Sequence, residues 1–349
     1  GFACFYKRRT GMKTDGCAVC FKYSRFKLIS FSPVEYFRPG LDILNRDNVG
    51  LVLLLQPLLQ EGLDLKAVSP LCVANTHLLF NPRRGDIKLT QMAMLLAEID
   101  KIAKTTEGSY YPVILCGDLN SVPDSPLYRF IRNGELSYQG MPAWKVSGQE
   151  NFSHQLCSRK LLAPLWPSSL GVTDNCQYAT QSQLENPGRR KYSRDFLLQF
   201  RFCSVACKQP PHLLLLEGVT DIKPAVTASL FFVDKWCLFM CRSSGVIQHG
   251  LNLTSVYSHF LPQRGRPEVT TMPMGVGNTV DYIFYSAEPV NNGNRGGRRL
   301  YKDGALKLLG RLSLLSEDVL LLANGLPNAF CSSDHLCLLA SFGLEISSL

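Results

Sequence analysis

Short apolar runs broken by polar turns dominate the first part of the chain. Residues 1–35 carry apolar positions on both sides of Lys7-Arg8-Arg9-Thr10-Gly11-Met12-Lys13-Thr14-Asp15-Gly16, which predicts paired strands joined by a basic turn. Leu51–Leu55 and Leu71–Ala74 are uninterrupted apolar runs of strand length, the pattern of strands buried on both faces. The second runs directly into Asn75-Thr76-His77. Across Asp86–Thr105 the period becomes helical. Leu89, Met92, Leu95/Leu96, Ile99 and Ala103 recur on one side, Lys88, Glu98, Asp100, Lys101 and Lys104 are polar, and Gly108 lies beyond the end. Val113–Cys116 is again a short buried strand, followed by Gly117-Asp118-Leu119-Asn120 and a short helix from about Ser125 to Arg132. This strand-turn-helix-strand order predicts a layered α/β architecture.

From about Trp144 to Gly250 the pattern weakens, interrupted by Pro, Ser, Gln and Cys. We read 146–250 as a partly disordered insertion, with a short helix at Arg194–Ala206, between two pieces of one domain, 1–145 and 251–349. Regular patterning resumes at Leu253–His259, Val280–Tyr285 and Leu306–Leu315, and ends in Leu336–Phe342.

Chemistry collects where strands stop. Residues two apart in extended backbone point the same way, so Asp118 and Asn120 project together from a strand tip, where α/β sheets place ligand sites. The carboxylate can take a proton from water or face a metal, and the carboxamide can donate to a phosphoryl oxygen. A strand ending in a polar turn would use the same residue types. Three further tips are alike: Asn75-Thr76-His77, Val280-Asp281-Tyr282 and Ser333-Asp334-His335. Taken one at a time, His77 reads equally as a core histidine, Asp281 as a strand-start cap, and Asp334-His335 as a turn.

Composition narrows the partners. The 349 residues are 46% hydrophobic and 19% charged, enough for a sizeable core, and the net charge of +9 favours an anionic partner such as nucleic acid. The 13 cysteines, several in strand-like runs (Cys72, Cys116, Cys337), suit buried thiols in a reducing, cytoplasmic compartment better than a disulfide framework. Cys17 and Cys20 form a C-x-x-C without a second pair at zinc spacing, and read as core. The most apolar tract, Ala225–Met240, carries Asp234 and Lys235 at its middle, which argues against a membrane span. The start at Gly1, running at once into strand-like sequence, reads as that of a truncated chain.

The four tips, in this order and in these strand contexts, resemble the endonuclease/exonuclease/phosphatase superfamily of metal-dependent phosphoesterases. NTHLLFNPRRGDIKLTQ, CGDLNSVPDSPLY, VDYIFYSAE and NGLPN…SSDHLCLL are closer still to its Angel subfamily, relatives of nocturnin and the carbon-catabolite-repression deadenylases. The likeness covers residues 1–145 and 251–349 and continues into Arg189–Pro224.

That resemblance implies a four-layer α/β sandwich of two mixed β-sheets flanked by helices, here lacking its first strands. It implies a divalent metal, Mg²⁺ or Mn²⁺, and an RNA substrate processed at its 3′ end, by hydrolysis of a 2′,3′-cyclic phosphate or by removal of adenylate. By motif, Asp118 would position or deprotonate the attacking water and Asn120 would hold a phosphoryl oxygen. His335 would bind the phosphate, Asp281 would orient a histidine, His77 would contact the phosphate, and Asp334 would stand at or near the metal. Asn75, Arg83 and Arg84, with Lys13 from the basic turn, would contact substrate. One departure matters: the family's metal-binding Glu, in a strand ending Gln-Glu near the start of the domain, has no counterpart. Neither Glu35 nor Glu61 has that context, which puts the activity of this chain in doubt and leaves a sheet edge uncovered.

A second signal lies in the insertion. Tyr192-Ser193-Arg194-Asp195-Phe196-Leu197-Leu198 resembles peptides that dock on the cap-binding translation initiation factor as a short amphipathic helix. Tyr192, Leu197 and Leu198 would be its anchors, and it fits the Angel paralogue carrying such a motif. A helix packed on the parent domain is the alternative. On the docking reading, the alternative to an enzyme is a catalytically inactive interaction partner of the translation machinery that uses its fold as a scaffold.

Overall fold

A computed structural model of the chain describes residues 1–58, 68–149, 159–180, 245–259, 267–272, 275–290 and 299–345. The expected helix at Arg194–Ala206, the docking motif with Tyr192, Leu197 and Leu198, and Glu61 lie outside the described residues.

The basic turn joins β1 (Phe2–Arg8) to β2 (Gly16–Lys22) in an antiparallel ribbon. Its register sets Cys4 opposite Cys20, and the two form a disulfide. This corrects the reading of Cys20 as a free core thiol. Cys17 and Cys20 are an odd number of residues apart, so they face opposite sides of the strand: Cys17 is buried and free, and Cys20 faces outward to its partner. Cys72, Cys116 and Cys176 are also free, whereas Cys337 is exposed because the last strand begins only at Ala340.

The central sheet is built from β3 (Phe26–Glu35), β4 (Val49–Pro57), β5 (Leu71–His77) and β6 (Val113–Asp118). Beyond a short ribbon of β7 (Glu135–Ser137) and β8 (Val246–Gln248) it continues with β9 (Leu253–Ser255), β10 (Asp281–Pro289) and β11 (Tyr301–Asp303). The strand order is β11-β10-β6-β5-β4-β3, with β9 also on β10. β5 and β6 run parallel and β10 antiparallel to β6, so the sheet is mixed. A third ribbon pairs β12 (Leu306–Arg311) with β13 (Ala340–Leu344).

Each face of the sheet is covered by a different layer. On one, α1 (Gly85–Ala103) and α2 (Pro126–Asn133) pack on Val52, Leu54, Cys72, Val113, Leu115 and Phe284. On the other, the β1–β2 ribbon packs Phe21 and Cys17 on Leu51, Leu53 and Leu55, and the β12–β13 ribbon packs Leu306 and Phe342 near Tyr285 and Ala287. A third helix, α3 (Glu317–Leu322), sets Leu320 against Val269 and Met272.

The polar residues of α1 differ from expectation. Lys88 and Glu98 are buried, because the helix is covered on its far side as well as by the sheet. Leu161, Trp166, Val172 and Cys176, from within the tract read as an insertion, belong to the same core as α1. Glu98 accepts from Ser32 Oγ at 2.7 Å, Tyr178 Oη at 2.5 Å and Lys101 Nζ at 3.2 Å, which satisfies a carboxylate that water does not reach. α2 carries readable caps: Ser125 accepts the Tyr128 N–H, Pro126 opens the helix, and Gly134 ends it in the left-handed region at φ 75°.

Candidate functional site

The sheet register alone brings three of the strand tips together. His77 at the end of β5 is the parallel neighbour of Asp118 at the end of β6, and Asp118 stands opposite Asp281, the first residue of β10. Gly117 makes the close approach possible. Its φ is 143°, and a Cβ there would lie 2.0 Å from the Thr76 carbonyl oxygen.

The fourth tip arrives through Thr270 and Thr271. The Thr270 hydroxyl accepts the N–H groups of Val280 (3.0 Å) and Asp281 (3.2 Å), and its carbonyl takes the Leu336 N–H (2.7 Å). Thr271 forms a β-bridge with His335 and donates its hydroxyl to the Asp334 carbonyl at 2.8 Å. His335 is thereby aimed at Asp281, and its Nδ1 lies 2.8 Å from Asp281 Oδ2.

Ligand atoms of Asp118, Asp281 and His335 all lie within 4.8 Å of one another. His77 Nε2 is 3.4 Å from Asp118 Oδ2, and its side chain is 45% exposed, so the histidine sits at the rim. Burial, and then the charge of Asp281, raises the pKa of Asp118 above the usual carboxylate value. The hydrogen bond to Asp281 raises His335 to about 9, so its imidazole is a cation at neutral pH. A site of two close carboxylates and one imidazolium suits an anionic, oxygen-rich ligand held beside a cation.

A divalent cation fits these carboxylates. Both are hard oxygen donors, and their mutual repulsion is relieved by a cation between them. Asp281 fixes the His335 ring through Nδ1, and an imidazole held protonated at neutral pH by that bond offers a phosphate an N–H donor and a positive charge. Asp334, expected at or near the metal, has a side chain 62% exposed, and its Oδ2 stands 4.0 Å from His335 Nε2, at the edge of the three-residue cluster.

Asn120 is 4% exposed and in the left-handed region at φ 47°. Its backbone N–H donates to Asp118 Oδ1 at 2.8 Å, and its side-chain amide donates to the Leu78 carbonyl at 3.0 Å. One amide hydrogen is therefore committed to the chain rather than to a phosphoryl oxygen. The expected substrate contacts divide likewise. Asn75 donates to the Ala18 carbonyl at 3.0 Å, strapping the β1–β2 ribbon to β5. Arg84 forks onto Asp86 at 2.9 and 3.2 Å, a carboxylate that also takes Arg159 at 3.0 Å. Arg83 and Lys13 are exposed. In the basic turn, Arg9 bonds Asp15 at 3.0 Å and Thr10 bonds Asp47 at 2.6 Å, which holds the turn against the start of β4.

Several contributors escaped the sequence reading. Asn48 donates to the His77 carbonyl (3.0 Å), Gln91 bonds Asn48 (3.4 Å) and receives the Leu79 N–H (3.0 Å), and Tyr36 pairs with Thr76 Oγ1 (2.7 Å). Lys88 Nζ donates to the Asn120 carbonyl at 2.5 Å. A signal existed: Lys88 and Gln91 are one helical turn apart and flank Leu89, so both lie near the buried face.

Comparison with known proteins agrees with this geometry. The model of the Endonuclease/Exonuclease/phosphatase family matches residues 1–335. Protein angel homolog 1 of Homo sapiens is 70% identical over all of this chain and 53% of its own length. Protein angel homolog 2 of Homo sapiens is 48% identical over 99% of this chain and 56% of its own. The chain therefore spans about half the length of the curated relatives it matches. Among solved structures, the crystal structure of ANGEL2, a 2′,3′-cyclic phosphatase, in complex with adenosine-2′,3′-vanadate superposes with a TM-score of 0.72 at 45% identity, over 99% of this chain and 75% of that one. No helix among the described residues is long and apolar enough to cross a membrane. With a mixed sheet between helices and β-ribbons, and strand tips that meet in one acidic cluster, the chain belongs to the endonuclease/exonuclease/phosphatase family.

Proposed function

We propose that this chain is the core of a metal-dependent phosphoesterase acting at RNA 3′ ends, with a terminal 2′,3′-cyclic phosphate as substrate. The observation that carries the reading is the convergence of Asp118, Asp281 and His335. The likeness to a solved 2′,3′-cyclic phosphatase at 45% identity supports the choice of substrate over stepwise removal of adenylate.

In this reading Asp118, at the tip of β6, holds the attacking water and accepts its proton. His335 faces a phosphoryl oxygen as a cation that stays protonated to about pH 9, fixed in tautomer and direction by Asp281. His77, beside Asp118 at the rim, meets the substrate from the other side. The carboxylates of Asp118 and Asp281 would hold a Mg²⁺ or Mn²⁺, which when bound would supply Lewis-acid stabilisation of phosphoryl charge. The chain's positive balance of +9 suits an anionic partner such as RNA.

The test is an RNA oligonucleotide ending in a 2′,3′-cyclic phosphate, incubated with the full-length protein and Mg²⁺. Conversion to a terminal monophosphate, lost in Asp118→Ala, is the expected result. Absence of product from both cyclic-phosphate and adenylated RNA sinks the enzyme reading.

The docking motif supports a second activity, binding of the cap-binding translation initiation factor, with the sequence Tyr192–Leu198 as its basis. Tyr192→Ala combined with Leu197→Ala is expected to abolish pulldown of that factor and leave phosphoester cleavage intact. Pulldown that survives the double substitution removes this reading.

A further inference from the structure

The floor of the site holds an amine that the chemistry above does not use. Lys88, in the first turns of α1, is 0% exposed, and its Nζ donates to the Asn120 carbonyl at 2.5 Å. Among the described residues no carboxylate lies within ion-pair distance of it, although the charge of Asp118 favours its protonated form against the burial that pulls its pKa down to about 7. A buried ammonium bonded to a neutral carbonyl costs stability that an apolar side chain of the same length would not. A feature that costs stability and sits beneath a reactive centre calls for a use.

The geometry shows what it holds. Asn120 is a non-glycine residue at φ 47°, a conformation that persists only when its surroundings enforce it. Three bonds do so: Asn120 N–H to Asp118 Oδ1, the Asn120 amide to Leu78 O, and Lys88 Nζ to Asn120 O. The first of these orients the Asp118 carboxylate itself. The third comes from a different layer of the fold and ties the turn to the rigid interior of α1.

We propose that Lys88 is a positioning residue: its ammonium clamps the Asn120 carbonyl and so fixes the left-handed turn that aims Asp118 at the reacting phosphate. The catalytic consequence rests on the phosphoesterase reading above, whereas the clamp itself is a property of the fold and is tested apart from it.

The decisive variant is Lys88→Met in the full chain, which keeps length and removes charge and donor. Its melting temperature is expected to stay near that of the parent, because relief of the buried amine offsets the unpaired Asn120 carbonyl. Hydrogen exchange of the amides at 118–121 should accelerate by about tenfold or more while residues 89–99 of α1 stay protected. On cyclic-phosphate RNA, kcat should fall by about 10²-fold with KM within about threefold, as expected for a misplaced group that still binds substrate. Lys88→Gln, which retains an N–H donor, should recover part of the lost protection. Unchanged exchange at 118–121 in a folded Lys88→Met protein overturns the clamp. Faster exchange with unchanged kcat, in a preparation whose parent is active, overturns the positioning role. If neither variant folds, Lys88 is a packing element and the proposal is wrong. A parent protein inactive on RNA rejects the phosphoesterase reading, and the exchange measurement still decides the clamp.

Discussion

Asp118 and Asp281 face each other across adjacent antiparallel strands, each the residue at which its strand begins or ends. Burial and this opposition raise the pKa of Asp118. A protein gains no stability from two like charges so placed, which is why the pair marks a functional centre.

Neutralising one member separates function from stability. Asp118→Asn should lower kcat by about 10²- to 10⁴-fold, the range of a lost general base. It should also raise the melting temperature measured without divalent metal, because the repulsion disappears. A variant that is both slower and clearly less stable would count against the repulsive arrangement.

His335 gives a pH signature. Its folded pKa of about 9 lies above the ordinary 6.5, so its ion pair contributes stability in full below about pH 6.5 and loses it as pH rises through 9. The difference in melting temperature between the parent and His335→Gln, without divalent metal, should therefore shrink between those limits. Asp281→Asn should bring the His335 titration back towards its ordinary value, read by NMR of the imidazole protons.

Gly117 is irreplaceable on steric grounds. A Cβ 2.0 Å from the Thr76 carbonyl, at φ 143°, forces β5 and β6 apart where His77 and Asp118 must pair. Gly117→Ala is expected to cost about 3 kcal/mol or more in a denaturant titration. A cost below about 1 kcal/mol would show that the strands can part without penalty.

The two adjacent arginines should behave differently. Arg84 is engaged with buried Asp86, so Arg84→Ala should destabilise the fold by about 1–2 kcal/mol, moderated by the remaining bond from Arg159. Arg83 is exposed, and Arg83→Ala should leave the melting temperature unchanged while raising KM for RNA. Equal effects on stability would erase the distinction.

The elements and the reactive tips were legible because both are local signals. Strand-length apolar runs, the change to helical period at Asp86, the caps around Ser125 and the four polar tips each lie within a few residues of one another. Which tips meet was not local. The pairing of Asp118 with Asp281, and the inward choice of His335 over Asp334, depend on strand register and on a bridge to Thr271.

The same limit explains the misread residues. Cys4 and Cys20 meet because two strands align. Lys88 and Glu98 carry charge, yet Lys88 is buried beneath the Asn120 turn and a layer containing Trp166 and Tyr178 covers Glu98. By itself the sequence determined the strands, the helices and the residue types available for phosphoryl chemistry, since periodicity and turn chemistry act over short distances. Tertiary structure alone decided which of those residues share a centre and which charges lie in the dark, because register and burial are set by contacts between segments far apart in the chain.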